Sequence, residues 1–142
     1  MDRTAAAIVA SVFSALALIH FYWAFGGRAG KLAAVPEVSG RAAFVPAAVG
    51  TFAVAVGLAL CAWLVAACAA LVGAPLPSAW LRGLTYALSP LLLARAIGDF
   101  HLVGFFKRVR GTRFAQMDSV VYAPLCLALA AAVLYVAAAH RA

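Results

Sequence analysis

Three ionisable residues interrupt the otherwise apolar run 91–106 in the second half of the chain. In LLLARAIGDFHLVGFFKR, residues 91–108, Arg95 and Asp99 are four residues apart and His101 follows closely. Residues i and i+4 are neighbours on a helix, so a guanidinium and a carboxylate at this spacing can form an ion pair. We therefore predict an Arg95–Asp99 pair, in which Arg95 could hold an anionic or carbonyl oxygen of a ligand and Asp99 could orient it.

The composition indicates that these groups lie within a membrane. Of 142 residues, 68% are hydrophobic and only 11% are charged, whereas a soluble domain has about 25% charged residues. A membrane span needs roughly 20 mostly apolar residues, and four stretches qualify, at about 5–25, 45–72, 80–105 and 120–139. The predicted fold is therefore all-α, a transmembrane four-helix bundle that forms a single integral membrane domain over residues 1–142.

The basic residues predict the orientation of this bundle. Seven basic residues lie in the loops after the first and third helices, and three lie on the opposite side. The seven are Arg28, Lys31, Arg41, Lys107, Arg108, Arg110 and Arg113; the three are Arg3, Arg82 and Arg141. Because cytoplasmic loops carry the excess of Lys and Arg, we expect loops 26–44 and 106–119 in the cytoplasm and both termini on the outer side of a bacterial cytoplasmic (inner) membrane.

The expected partners of such a chain are membrane lipids. A net charge of +7 suits an anionic lipid surface. A nucleic-acid partner is not expected, because basic residues are not interleaved with stacking aromatic residues on a soluble face.

The expected depth of Arg95 and Asp99 makes them candidates for function. If the third helix leaves the hydrocarbon near Val103, Asp99 lies about 6 Å and Arg95 about 12 Å inside the boundary. Charges within a membrane cost about 2.5–3.5 kcal/mol each on insertion scales, so they should face the bundle and have partners. The first and fourth helices offer further polar side chains at the same cytoplasmic end. The candidate catalytic residues are His20, Arg95 and Asp99; the candidate ligand-binding residues are Tyr22, Trp23, Asp118 and Tyr122.

Each of these residues also has a purely structural interpretation. The Arg95–Asp99 pair could serve only to specify the fold, and the aromatic residues could form the belt that is typical of a membrane boundary. His20 is the candidate proton carrier near neutral pH, whereas His101 points away from Asp99 on a regular helix and is expected at the lipid interface. Because the two histidines have no further ligand at metal spacing, neither a metal nor a cofactor is expected.

Four segments of the chain carry a resemblance to a known family. The segments HFYWAFGG, RAIGDF, GFFKRVRGTRFAQMD and YAPLCL, in this order, resemble an uncharacterised bacterial family of small four-helix membrane proteins, the domain of unknown function number 3995. The resemblance covers nearly the whole chain; it implies the four-helix architecture and adds no reaction. The matching positions are His20, Trp23, Gly26, Gly27, Arg95, Gly98, Asp99, Phe106, Lys107, Phe114, Asp118 and Pro124.

Two classes of function agree with these features. The first is a membrane-embedded site, catalytic or not, for a small lipidic or quinone-like molecule that enters from the cytoplasmic leaflet. The alternative is a non-enzymatic subunit or stabiliser that docks another membrane protein, or a second copy of itself, through small residues. Gly50, Ala53 and Gly57 form one stripe on the second helix, and small residues let helices approach closely in lipid. Transport is disfavoured, because the charges lie at one end and form no continuous polar route.

Overall fold

The computed structural model describes residues 3–140, and most of these residues are helical. Four long helices form the body of the molecule: α1 (Arg3–Ala24), α3 (Ala48–Cys68), α4 (Ser78–Ile97) and α6 (Ala123–Ala139). Short elements occupy the connections: α2 (Lys31–Ala34), a two-stranded antiparallel hairpin of β1 (Glu37–Val38) and β2 (Arg41–Ala42), and α5 (Arg113–Met117). A π-helical turn, Asp118–Tyr122, joins α5 to α6.

The four long helices run antiparallel in two hairpins, α1 with α3 and α4 with α6. The rings of Phe21 and Phe52, whose centroids are 5.4 Å apart, join the end of α1 to the start of α3. At the other end of this hairpin, the Arg3 guanidinium donates to the carbonyl of Ala70. In the second hairpin the Ser89 hydroxyl donates to the carbonyl of Ala130 over 2.9 Å, midway along both helices. Residues 25–47 and 98–112 therefore meet at one end of the bundle, here called the basic end.

The apolar core lies toward the opposite end, between α1, α3 and α6. Alanine and valine dominate it, and Phe13 is its largest fully buried side chain. Small residues allow close helix approach, which is what holds helices together where lipid removes the hydrophobic driving force between them. The core residues are Ala6, Val9, Phe13, Ala62, Val65, Ala69, Leu129, Val133 and Val136.

The outer faces of the helices are as apolar as the core. Val49 is 82% exposed, Leu18 69% and Leu91 67%, and such a surface suits contact with lipid rather than water. Three helical segments are long and apolar enough to cross a membrane: Arg3–Ala24, Ala48–Cys68 and Arg113–Ala139. The fourth predicted span, α4, is long enough but not apolar enough by the same standard, because Arg82, Arg95 and several small polar residues lower its mean hydropathy.

The bounds of the third and fourth helices differ from those expected. We predicted a third helix over about 80–105, but α4 ends at Ile97, because the backbone reverses at Gly98 with a φ of 89°. Residues 98–112 form an irregular loop that folds back on the helix, and the N–H of Phe105 donates to the carbonyl of Ala96 over 2.9 Å. Helical structure resumes at Arg113, before the predicted start near residue 120.

The small-residue stripe of α3 does not mediate packing within the chain. Gly50, Ala53 and Gly57, which we predicted as a docking stripe, are all exposed, and a Cβ added at either glycine would meet nothing within 4 Å. The helix instead buries the face that carries Thr51, Ala55, Ala62 and Val65. This stripe therefore lies open on the outside of the molecule.

Candidate functional site

Asp99 stabilises the start of the 98–112 loop rather than pairing with Arg95. Its Oδ1 accepts the backbone N–H groups of His101, Leu102 and Val103 at 2.9, 2.8 and 2.9 Å. These bonds, the one from His101 foremost, favour the carboxylate and hold the pKa of Asp99 below its ordinary value, although the side chain is exposed. The predicted Arg95–Asp99 pair was wrong, because the helix ends between the two residues and the i,i+4 relationship is lost.

Two glycines let the loop close on itself. Gly98 and Gly104 have φ values of 89° and 88°, a region that side chains rarely adopt. Their backbones also lie against each other: a Cβ on Gly98 would overlap the carbonyl of Val103, and one on Gly104 would overlap the carbonyl of Ile97. The spacing G-x5-G in this segment is therefore a requirement of backbone packing.

The true partner of Arg95 is Asp118, which lies 23 residues further along the chain. Arg95 Nη2 donates to Asp118 Oδ1 at 2.9 Å, and the Asp118 side chain is fully buried. Asp118 is the first residue of the π-helical turn; such turns locally widen a helix and are frequent at functional sites. The sequence reasoning grouped both residues at one end of the bundle, and the structure brings these two together.

A buried lysine completes this network. Lys107 Nζ is 3.1 Å from Asp118 Oδ2, and its side chain is 1% exposed. Its other two hydrogen bonds go to the Gly104 carbonyl at 2.9 Å and to Ser119 Oγ at 2.7 Å, and Asp118 Oδ2 also accepts the N–H of Gly104 at 2.7 Å. All three ammonium protons are therefore used, and both carboxylate oxygens are occupied.

Among the described residues, the side-chain hydrogen bonds of Lys107 and Asp118 all go to groups of this network. Removing a carboxylate and two cations from water costs free energy, and the short hydrogen bonds and ion pairs of Asp118 offset this cost. The network also links three segments, the end of α4, the 98–112 loop and the start of α6. Of the three charged side chains, Arg95 reaches the surface, with 37% of its side chain exposed; its Nη1 is buried and forms no hydrogen bond within residues 3–140.

The predicted aromatic residues stabilise the first loop. Trp23 Nε1 donates to the carbonyl of Ala29 at 2.8 Å, and the hydroxyl of Tyr22 accepts the N–H of the same residue at 3.4 Å. Tyr122 donates its hydroxyl proton to the carbonyl of Ala33 at 3.1 Å. Tyr122 thereby ties the start of the α6 segment to the loop that follows α1.

His20 lies apart from the charged network. Its Nδ1 is 2.8 Å from the carbonyl oxygen of Leu16, one turn back on α1, and its ring contacts Trp23 edge to face with centroids 5.1 Å apart. Within residues 3–140, no hydrogen bond or ion pair joins His20 to Arg95 or Asp99. The predicted cluster of His20, Arg95 and Asp99 is therefore divided among three separate environments.

His20 instead lines a groove at the basic end. The groove lies between the second half of α1, α2 and the first half of α3, and its volume is about 350 Å³. Its lining is largely apolar and includes Phe44, Gly50 and Val54. The two ionisable residues in the lining are His20 and Lys31. This combination of an apolar cleft and a few convergent polar groups is typical of small-molecule sites.

Sequence reasoning missed two residues that matter in these sites. Lys107 was counted only as a cytoplasmic basic residue. Its burial was not foreseen, because a lysine in a basic loop carries no local signal of burial. Lys31 was counted in the same way, because its place in the lining of the groove depends on how the first loop folds back on α1 and α3. His101 is exposed, and its carbonyl accepts the N–H groups of Arg108 and Val109.

The fold defines a helical protein with three segments able to cross a membrane and with Arg95, Lys107 and Asp118 joined in one charged network at the basic end. The chain matches the family described as "Protein of unknown function (DUF3995)" over residues 13–133. This match covers most of the chain, and the protein belongs to that family. No curated protein sequence and no solved structure is significantly similar to it.

Proposed function

We propose that this protein is a four-helix integral membrane protein of the bacterial cytoplasmic membrane that binds a small lipidic or quinone-like molecule. Three membrane-compatible segments and the apolar outer faces support the membrane location. The fourth span would be α4, whose Arg95 is paired with Asp118, and pairing lowers the cost of placing a charge near lipid. The basic loops would face the cytoplasm.

The groove that contains His20 and Lys31 is the observation that carries this proposal. It opens at the basic end, among side chains that the adjacent bilayer would cover, so a ligand could enter from the cytoplasmic leaflet. A volume of about 350 Å³ lies at the lower end of the range of about 300–1,000 Å³ for ligand sites. It would hold a head group and the first carbons of a tail, while the rest of the tail stays in lipid.

The charged network of Arg95, Lys107 and Asp118 supports this site indirectly. It holds the 98–112 loop against the start of α6, and Tyr122 then contacts Ala33 in the segment that forms one wall of the groove. We therefore assign Arg95 and Asp118 a positioning role and place ligand contact at His20 and Lys31.

The test is to fill the groove and measure which lipids remain bound. Gly50 lines the groove and has open space around its Cβ position, so Gly50→Leu should occupy the groove without a clash. Gly57→Leu is the matched control, because Gly57 lies two turns away on the same face, is equally open and is outside the groove lining.

Lipids retained through detergent purification would be identified and counted by mass spectrometry. We expect about one specific molecule per chain in the parent protein and in Gly57→Leu, and at least a fivefold loss in Gly50→Leu. Equal retention in all three proteins would refute the groove as the site.

The alternative function, docking of another membrane protein or a second copy, is favoured by one observation. Gly50, Ala53 and Gly57 lie exposed on α3, so the stripe is free to receive a helix. A partner docked there would be displaced by Gly50→Leu and Gly57→Leu alike. Loss of a co-purifying protein of fixed stoichiometry in both variants would support docking, and loss of lipid in Gly50→Leu alone supports the groove.

A further inference from the structure

The hydrogen bond from His20 to its own helix decides which ring nitrogen carries the proton. Nδ1 lies 2.8 Å from the carbonyl oxygen of Leu16, and because a backbone carbonyl oxygen can only accept, Nδ1 must be the donor. In the neutral ring Nε2 is then a hydrogen-bond acceptor. Within residues 3–140, Nε2 forms no hydrogen bond, and the ring lines the groove.

The second ionisable residue of the groove, Lys31, is a hydrogen-bond donor, whereas Nε2 of His20 is an acceptor. Lys31 lines the groove, and its ammonium group forms no ion pair or hydrogen bond with any residue from 3 to 140. An ammonium group is a donor only. Thr51, which also lines the groove, already donates its hydroxyl proton to the carbonyl of Ala47 at 3.1 Å.

We infer that the groove selects an amphiphile with an acidic head, such as the carboxylic acid of a long acyl chain, over neutral lipids of the same length. The acid shares its proton with Nε2 of His20, and the oxygen that becomes negative faces the ammonium group of Lys31. The apolar walls from Phe44 to Val54 contact the first carbons of the tail. This inference rests on the proposed function, because it names the class of ligand for the same groove.

A neutral ester cannot satisfy both residues. Its carbonyl could accept from Lys31, but it has no proton to share with Nε2, so the acceptor would stay unpaired. A phosphodiester anion is a far weaker base than a carboxylate, so it shares a proton with Nε2 less well, and its head is bulkier. Hydrogen bonds to charged groups are about twice as strong as neutral ones, which corresponds to a preference of about tenfold or more for the acid over the ester.

The experiment compares two photoreactive probes in nanodiscs that contain the full-length protein. One probe is a C16 fatty acid with a diazirine in its chain, and the other is its methyl ester. The labelled peptides would be quantified by mass spectrometry, with Gly50→Leu as the background. We expect the groove peptides from α1 and α3 to be labelled about tenfold more by the acid than by the ester.

Three substitutions test the residues. Lys31→Met keeps the aliphatic stem and removes the charge, while His20→Phe keeps an aromatic ring against Trp23 and removes Nε2. Both should lower labelling by the acid to the level of the ester. Arg28→Met removes a charge from the same loop but outside the groove lining, and it should leave the preference unchanged. His20→Phe also loses the bond to Leu16 and could fail to fold for that reason. In that case the result for Lys31→Met decides the test.

The outcomes separate the two proposals. Equal labelling by acid and ester, both reduced in Gly50→Leu, would overturn the acidic head and leave a lipid groove. Labelling by neither probe above the Gly50→Leu background would overturn both. If Arg28→Met abolishes the preference for the acid as fully as Lys31→Met does, the preference comes from the surface potential of the loop. That result would overturn the direct contact between Lys31 and the acidic head.

Discussion

Replacing Asp118 by asparagine should be among the most destabilising single changes in this protein. The asparagine side chain has the shape of aspartate but no charge, and it presents an N–H₂ group where the native oxygens accept from Arg95, Gly104 and Lys107. The ammonium group of Lys107, on a side chain that is 1% exposed, would be left without its counter-ion.

The expected loss follows from the exposure of the two cations. Removing one partner of a buried pair costs about 3–5 kcal/mol, because the other charge is stranded. Most of this should come from Lys107. Arg95 has 37% of its side chain exposed and can be solvated, so it contributes less, about 0–1 kcal/mol. Against a total stability of about 5–15 kcal/mol, the folded population should fall by orders of magnitude.

The assay is equilibrium unfolding in mixed micelles of a mild detergent and dodecyl sulfate, followed by tryptophan fluorescence. The double variant Lys107→Met with Asp118→Asn removes the stranded cation, so at least half of the lost free energy of unfolding should return. Glu37→Gln is the control, because Glu37 is an acid at the same end with no ion pair within residues 3–140; its effect should stay within about 0.5 kcal/mol. A loss below about 1 kcal/mol for Asp118→Asn, or simple additivity in the double variant, would refute the reasoning.

Three further predictions concern the loops of the bundle. Gly104→Ala should destabilise the protein by more than about 2 kcal/mol, because it adds a backbone clash to the cost of positive φ. Gly111→Ala, at a residue with a φ of 85° but open space around it, should cost only about 1 kcal/mol. Thermal unfolding compares the two variants directly, and equal losses of stability would exclude the clash. Because the pKa of Asp99 is lowered by the backbone N–H groups that it accepts, its contribution to loop stability should be complete above its unfolded-state pKa and lost as pH falls through the lower folded-state value; hydrogen exchange of the 99–103 amides should accelerate in that acidic range, and Asp99→Ala should abolish this acid step. In a variant without the native cysteines, Arg110→Cys should react with an impermeant maleimide only in inverted vesicles and Gly73→Cys only in spheroplasts; the opposite pattern would reverse the proposed orientation.

Sequence reasoning located the elements better than the contacts between them. The four long apolar runs predicted α1, α3, α4 and α6, since each helix is signalled by its own residues. The end of α4 was misplaced because the run from Leu102 to Phe106 is apolar enough to continue a helix. What stops the helix is the packing of Gly98 against Gly104, a contact between backbones that hydropathy does not report.

The same error carried over into the candidate site. An i,i+4 rule pairs Arg95 with Asp99 only while both lie on one helix, and Asp99 is instead occupied by the amides of its own loop. Asp118 was placed at the same end of the molecule and proposed as a ligand-binding residue. It pairs with both Arg95 and Lys107, and Lys107 carried no local mark of burial, because burial of a lysine depends on groups contributed by other segments.

The amino-acid sequence by itself determined the helical class, the approximate positions of the four long helices and the concentration of positive charge in two loops. These properties are sums over individual residues, since transfer to an apolar environment depends on each side chain separately. Only the tertiary structure decided which carboxylate neutralises Arg95, that Lys107 is buried, and that His20 shares a groove with Lys31. Each of these depends on the path of the loops: the ion pairs form only where the loops bring groups within about 3–4 Å, and the groove forms only where the first loop folds back on α1 and α3. No local pattern encodes that path.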